Sequence, residues 1–517
     1  LKILPKVLLN PNTEKWFSTL LFYVPLFISI IFIISVPFYP TVDGASHLYN
    51  SFILKELIFN SSSPFHTYFE LNSVLVPNWL DHILLAGLLT VFSPIWTQKI
   101  FLIAIVLTQA IIFRKLVFKL NPENKVLSVL VLPFLFGSFF HGGLFNQTLS
   151  LVFLYFFIYW LIKIERTKDF NFSFLLRLFG FSILFWLSSI ITWAVFVSIS
   201  GLFLLFKGYQ NQYNLREYIS KIAYVTLAII PTLLLSLFFV SKVHMATDEL
   251  PITIFNKLKL FVKLEPLVVF DTGGETRLLI PIAIIILVLG VFNYKRIAHL
   301  NSPGLQALKL FPMIALLLFF VVPNQAGAGL LSYRLAMIFY LLVIILVAAV
   351  EMPKALRLTA SIVLVGCFLG LQFKKQNGRI RSYAKISNDF IEAGKKMPSG
   401  ATLWPVQLDS NWFIGHSNNA AGLPNSVINF ENYETYYPWF PLKFKQAFQS
   451  QNSQFNELRR TKSLNQFTDI NTDYVLLSGL DQNTEAAAIV EFCNQSGSVI
   501  YESQGSDYKM RLYKINR

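Results

Sequence analysis

Long apolar runs, broken by short polar turns, fill most of this chain and stop near residue 373. A run of about 18 or more apolar residues predicts a membrane span, because the hydrocarbon core is about 30 Å thick and a helix rises about 1.5 Å per residue. On this basis membrane helices are read at about 18–38, 98–118, 125–140, 144–163, 172–188, 190–207, 221–242, 278–293, 309–323, 330–350 and 355–373. That gives about eleven transmembrane helices. The first run continues to Phe38 with no small-residue cleavage site after it, so it is read as a span and not as a cleaved leader. One more apolar segment, 79–95, is short, carries Asp81 and His82, and meets Pro94 at its end.

Beyond residue 373 the pattern changes. A helix is predicted over 384–397, and GATLWPVQLD, TDYVLLSG and GSVIYESQGSDYKMRLYK read as strands from their β-branched and aromatic content. The expected division is a transmembrane domain over 1–373, carrying an outer loop at 39–97, and a small C-terminal α/β domain over 374–517. The aromatic stretch NFENYETYYPWFPLKF reads as core or as a membrane-facing belt, with sugar stacking as the other use of such rings. No catalytic constellation is expected in this tail.

Charge orients the spans. The sequence has 43 Lys and Arg against 28 Asp and Glu, a net charge of +15. Nucleic-acid binding is set aside, because the basic residues gather in short turns between spans, where the positive-inside rule accounts for them. With eleven spans the N-terminus is cytoplasmic, as are the turns holding Arg114, Lys115 and Lys119, then Lys163, Arg166, Lys168 and Arg177, then Lys207, Arg216 and Lys221. Segment 79–95 then lies in the plane of the outer face or dips in and returns. The tail is extracytoplasmic, although its basic start at 374–384 is an exception to the rule. Six of the seven histidines (His47, His66, His82, His141, His244, His416) fall outside, as do the long loops 39–97 and 243–277. Any active site is therefore expected to face outward. Cys367 falls in a span and Cys493 in the tail, so no disulfide is expected, and no metal-type Cys/His spacing occurs. Composition and topology together suggest a bacterial inner membrane, with the C-terminal domain periplasmic.

The first outer loop carries the strongest chemical signal, in FYPTVDGASHLYNSFILKELIFN. Asp43 follows the first span closely, where a carboxylate costs free energy unless it is solvated or paired, and such a residue is a functional candidate. Gly44 permits a tight turn. Leu48, Phe52, Ile53 and Leu57 then repeat with helical spacing, predicting an amphipathic surface helix with His47 in its first turn. A second role for Asp43, capping that helix, stays open.

Asp43, Gly44, His47 and Asn50 form a D-G-x-x-H-x-x-N element that resembles the acidic first-loop element of bacterial members of the GT-C superfamily of membrane glycosyltransferases. PNWLDHILLAGLLTVFSPIWTQKIF and FFHGGLFNQTLSLVFLYFF resemble the segments that follow it there. The likeness covers roughly 18–200 and implies a mannosyltransferase-like fold for the helical region. It also implies transfer from a polyprenyl-phosphate sugar to a glycan, lipid or protein acceptor on the extracytoplasmic face. Two carboxylates one residue apart, present in many members, are absent from this loop. That departure favours a metal-free general base at Asp43, although Asp43 and His47 leave room for a shared divalent cation.

Catalysis is thus expected from Asp43 and His47. Leaving-group stabilisation asks for cations, and Arg277 and Arg334 both enter spans from the outer side with a planar fork suited to phosphate. Asn50, Asp81, His82, His141 and Asn146 complete the expected substrate-binding set. Gly142 and Gly143 explain the HGGLF turn without any function. Lys257, Lys259 and Lys263 are expected to meet lipid phosphates. A flippase of lipid-linked glycans, a polymerase or ligase of another membrane fold, and a GT-C-like scaffold without catalysis are the competing readings. The charges at span ends and the lack of matched halves speak against transport.

Overall fold

The computed structural model describes residues 11–165, 171–242, 252–271, 273–324, 329–461, 471–480, 487–504 and 507–516. Its helices run α1 (Pro11–Ile34), α2 (Gly44–Phe59), α3 (Leu80–Leu89), α4 (Pro94–Leu120), α5 (Phe145–Ile164), α6 (Phe172–Ser188), α7 (Ile190–Gln210), α8 (Leu215–Lys242), α9 (Ile254–Val262), α10 (Gly274–Phe292), α11 (Pro303–Val321), α12 (Leu331–Ala349), α13 (Lys354–Lys375) and α14 (Arg381–Gly394). By contact the chain forms two compact units. One comprises Leu1–Phe32, Ile103–Phe140 and Gln147–Lys375; the other comprises Ile33–Leu102, His141–Asn146 and Gln376–Arg517.

Among the described residues, nine helices are long and apolar enough to cross a membrane: α1, α4, α5, α7, α8, α10, α11, α12 and the run that begins with α13. The protein is a polytopic helical membrane protein with a small sheet-containing region at its C-terminal end. Two of the eleven predicted runs differ. The 172–188 run is helical, but at 17 residues α6 is shorter than a typical span. The 125–140 run is a 3-10 helix over Pro122–Val131 followed by single turns at Leu132–Leu135 and Ser138–His141. Pro133 lacks the N–H that an α-helix would use there. Val126 through Leu132 are almost wholly buried, so the apolarity of this run reflects packing inside the helical unit and not contact with lipid. The short 79–95 segment is the ten-residue α3, too short to cross.

The helical unit buries several cations against carbonyls and carboxylates. Arg357 lies between Glu14 and Glu123, 3.2 Å from each. Lys257, on α9, is buried and donates to the carbonyls of Phe319, Phe320 and Val322, at 2.9, 3.2 and 2.6 Å. Its ammonium caps the C-terminal end of α11, where free carbonyls and the helix dipole favour a cation. The expected lipid contact therefore does not describe Lys257, whereas Lys259 and Lys263 are exposed.

In the other unit a five-stranded sheet has the order β3–β2–β5–β7–β6, built from β2 (Thr402–Gln407), β3 (Ile428–Asn429), β5 (Tyr474–Ser478), β6 (Gly497–Glu502) and β7 (Met510–Ile515). β2 runs parallel to β3 and β5; β7 is antiparallel to β5 and β6. Its centre is apolar, with Leu403, Val475, Leu476 and Leu512 fully buried. A separate pair joins distant parts of the sequence: β1 (Phe69–Leu71) is antiparallel to β4 (Leu442–Phe444), with Phe69 opposite Phe444. α2 is buried along most of its length, including the polar residues His47, Asn50 and Ser51. The spacing predicted a polar face toward solvent; tail residues cover that face and supply its hydrogen bonds.

Candidate functional site

Glycine sets the entry to α2. The N–H groups of Val42 and Asp43 donate to the carbonyls of His141 and Gly142, both at 3.0 Å. Gly143 has φ +75°, and a Cβ there would lie 2.5 Å from the nitrogen of Gly44 and 2.9 Å from that of Asp43. Only glycine permits this left-handed conformation and backbone approach together. A Cβ on Gly44 would likewise meet Thr41 Oγ1 at 2.0 Å. The HGGLF turn therefore packs directly against the backbone that presents Asp43.

Asp43 occupies the N-cap position of α2, yet its carboxylate makes no capping hydrogen bond. Instead Oδ1 lies 3.8 Å from Nε2 of His416, and Nδ1 of the same ring lies 3.6 Å from Oε1 of Glu431. The His416 ring packs on Tyr433 with centroids 4.0 Å apart. Asp43 and His416 keep 19% and 14% of their side-chain surface exposed while Glu431 keeps 1%, so this row of groups runs from an accessible end to a buried one. Burial, reinforced by the carboxylates of Asp43, Glu434, Asp81 and Glu431, holds the Tyr433 phenol well above its usual range. It remains an O–H donor at neutral pH.

A second cluster lies deeper. His82 sits between two carboxylates, with Nδ1 2.7 Å from Asp81 Oδ1 and Nε2 2.7 Å from Glu434 Oε2. His47 Nδ1 lies 2.9 Å from Asp81 Oδ2 and 3.6 Å from Glu434 Oε1. The shorter approach is an ion contact between a buried imidazole and a buried carboxylate. All four residues are buried. Burial alone would lower both imidazoles, but the facing carboxylates outweigh it, raising His47 and pushing His82 up to about 10. The converse holds for Asp81 and Glu434: burial opposes ionisation, and the two imidazoles hold both carboxyls below their ordinary values. Each imidazole in the cluster faces carboxylate oxygens, which is what makes the burial of all four groups tolerable.

Amides fix the elements that carry these groups. Asn146 accepts from the backbone N–H of Asp81 at 3.2 Å and donates to the carbonyl of Asn78 at 3.2 Å, anchoring the start of α3. Asn50 exchanges two hydrogen bonds with Asn432, at 2.9 and 2.8 Å. Tyr49 donates to the carbonyl of Val427 at 2.7 Å and accepts from the N–H of Asn429 at 3.1 Å. The ring of His141 stacks on Tyr39 with centroids 6.1 Å apart.

Of the residues expected from sequence, Asp43, His47, Asn50, Asp81, His82, His141 and Asn146 all lie in this one unit. The structure gives Asp43 and His47 different surroundings: Asp43 faces His416, while His47 joins Asp81, His82 and Glu434. Arg334 and Arg277 belong to the helical unit. There Arg334 donates to the carbonyl of Gly329 and to Gln147 Oε1, both at 3.0 Å, and Gln147 also accepts from Ser189 at 2.9 Å. Arg277 is exposed on the first turns of α10. His244, Arg166 and Lys168 lie outside the described residues.

The tail residues Glu431, Asn432, Tyr433, Glu434 and His416 were not anticipated as site residues. A signal existed: two carboxylates three positions apart within the aromatic stretch NFENYETYYPWF. Carboxylates among aromatics are costly unless paired, so their partners were to be sought among basic side chains elsewhere.

No family model and no curated protein matches this sequence. Among solved structures, the fold matches the crystal structure of ArnT from Cupriavidus metallidurans bound to undecaprenyl phosphate. The TM-score is 0.57 at 10% sequence identity, covering 97% of this chain and 98% of that one. The chain thus shares the fold of that protein along nearly its whole length.

Proposed function

We propose that this protein moves a sugar from a polyprenyl-phosphate-linked donor to an acceptor hydroxyl at the outer face of the membrane, with inversion, using Asp43 as general base. The observation that carries this reading is the Asp43 carboxylate. It stands at a helix N-terminus without capping it, keeps an accessible edge, and is backed by His416 and Glu431. The GT-C fold supports a glycosyl transfer, and the undecaprenyl phosphate bound by ArnT supports a lipid-phosphate donor.

In the reaction, Asp43 takes the proton of the acceptor hydroxyl as its oxygen bonds to the anomeric carbon. The bond from that carbon to the phosphate oxygen breaks, and its electron pair leaves with the polyprenyl phosphate. A positioned base of this kind contributes a factor of roughly 100 to 10,000. His416 acts as a positioning residue, holding the Asp43 carboxylate in one orientation while Glu431 holds the imidazole. Asn50 ties α2 to Asn432, the carbonyl of His141 holds the backbone just before Asp43, and Asn146 anchors the start of α3. The acceptor is a glycan, lipid or protein hydroxyl, and a bacterial inner membrane with the tail on the periplasmic side suits such a reaction.

The test is sugar transfer or donor hydrolysis by purified protein from a panel of synthetic polyprenyl-phosphate sugars, comparing wild type with Asp43→Asn. Activity that falls at least about 100-fold in the variant, with KM little changed, supports the reading. Activity that survives the substitution removes Asp43 from the mechanism. No turnover on any donor, with lipid-linked glycan instead crossing liposomes carrying the protein, replaces the enzyme with a flippase.

A further inference from the structure

The buried cluster holds more ligand atoms than its own hydrogen bonds use. His47 Nδ1, Asp81 Oδ2 and Glu434 Oε1 are all buried and lie beyond the pair of hydrogen bonds that His82 makes. His47 lies on α2, Asp81 and His82 on α3, and Glu434 in the tail. These three atoms face one another, with His47 Nδ1 2.9 Å from Asp81 Oδ2 and 3.6 Å from Glu434 Oε1, so donors from three segments converge on one buried point. One ligand atom from each of His47, His82 and Glu434 lies within 4.8 Å of the others. Ligands of a tetrahedral zinc-type ion, at about 2.0–2.2 Å from the metal, sit about 3.3–3.6 Å apart, so small side-chain rotations close the set.

We infer that His47, His82, Glu434 and Asp81 form a closed structural site for a divalent transition metal of the zinc class, which ties the first loop to the tail segment 431–434. The donor set of two imidazoles and two carboxylates suits zinc and its neighbours over calcium or magnesium, which prefer all-oxygen shells. Asp81 serves twice. Its Oδ1 accepts from His82 Nδ1 at 2.7 Å, which fixes the tautomer and leaves Nε2 as the ligand atom. Its Oδ2 faces His47 Nδ1 at 2.9 Å and completes the shell. Complete burial leaves no open position for water or substrate, which marks a structural site and not a catalytic one. This ion shares His47 with the cation for which the sequence left room, but takes Asp81, His82 and Glu434 where that expectation took Asp43. The site is independent of the proposed sugar transfer and is tested without it.

The experiment uses full-length protein, its purification tag removed, in metal-free detergent buffer. Metal content is measured by mass spectrometry, and affinity by titration with zinc and with cobalt(II), whose visible spectrum reports four-coordinate geometry. About one equivalent of retained metal, and a tetrahedral cobalt spectrum displaced by zinc, supports the site. Glu434→Gln keeps shape and hydrogen bonding while removing a charged ligand, and it should weaken zinc binding by about 10- to 100-fold. His47→Ala should do the same. Binding unaltered by Glu434→Gln places the metal elsewhere and overturns the proposal. So does wild-type protein that retains no metal and shows no cobalt spectrum, in which case the four groups are a proton-held ion-pair lock. The wild-type titration decides the matter even if a variant fails to fold.

Discussion

Asn50 and Asn432 hold each other by two hydrogen bonds, 2.9 and 2.8 Å long, across 382 positions of sequence. Both side chains are buried; Asn50 Nδ2 also donates to the carbonyl of Ser46 at 3.0 Å, while its Oδ1 accepts from Asn432. This pair binds α2 to the segment that carries Glu431, Tyr433 and Glu434. Replacing Asn432 by Ala leaves the Asn50 amide short of partners and should destabilise the protein by about 1–3 kcal/mol. Removing both amides should cost less than the two single changes added together, because no buried group is then orphaned. Thermal unfolding of the single and double variants checks this; strict additivity would show that the pair contributes no joint stability.

Gly143 should be intolerant of any side chain. With φ +75° and a Cβ position 2.5 Å from the backbone of Gly44, Gly143→Ala must push the Asp43 backbone aside. Transfer activity should fall by at least about tenfold, since misplacing a catalytic group by about 1 Å can cost about 100-fold. Gly87→Ala is the control, because nothing lies within 4 Å of its Cβ position and alanine favours the helix. Equal activity in the two variants would sever the HGGLF turn from the function of Asp43.

His416 touches Asp43 but is assigned no contact with substrate. His416→Gln should therefore lower kcat while leaving KM within about twofold. The double variant with Asp43→Asn should be no slower than Asp43→Asn alone, as expected of a residue that acts through another. A further drop in the double variant would mean that His416 acts on the substrate directly.

Cys493 gives a pH signature for the tail. The thiol is fully buried, and burial pushes it from the ordinary 9.0 up to about 12. Between these values the unfolded chain loses this proton while the folded chain keeps it, so the folded state binds more protons and stability falls as pH rises from about 9 to about 12. Below pH 9 the group makes stability independent of pH. Cys493→Ala should flatten that decline, and maleimide should label Cys493 slowly in folded protein and rapidly in denaturant. Fast labelling of the native protein would contradict the burial.

Apolar run length decided the membrane architecture before any tertiary contact was known. Spans, turns and the α/β character of the tail follow from local physics: a run either matches the bilayer or does not, and alternating β-branched residues favour strands. Asp43, Gly44, His47 and Asn50 were legible for a similar reason, since a carboxylate beside a span and a glycine turn are costly or permissive wherever they occur. Run length misled at 125–140, because apolar sequence says that water is excluded but not whether lipid or protein excludes it. Only the tertiary structure decided what each polar group meets. It set Asp43 beside His416, gave His47 to Asp81 and Glu434, and turned Lys257 onto the end of α11. Ion pairs and amide clamps between residues hundreds of positions apart leave no periodicity in the sequence; they exist only because burial makes an unpaired charge too costly to keep.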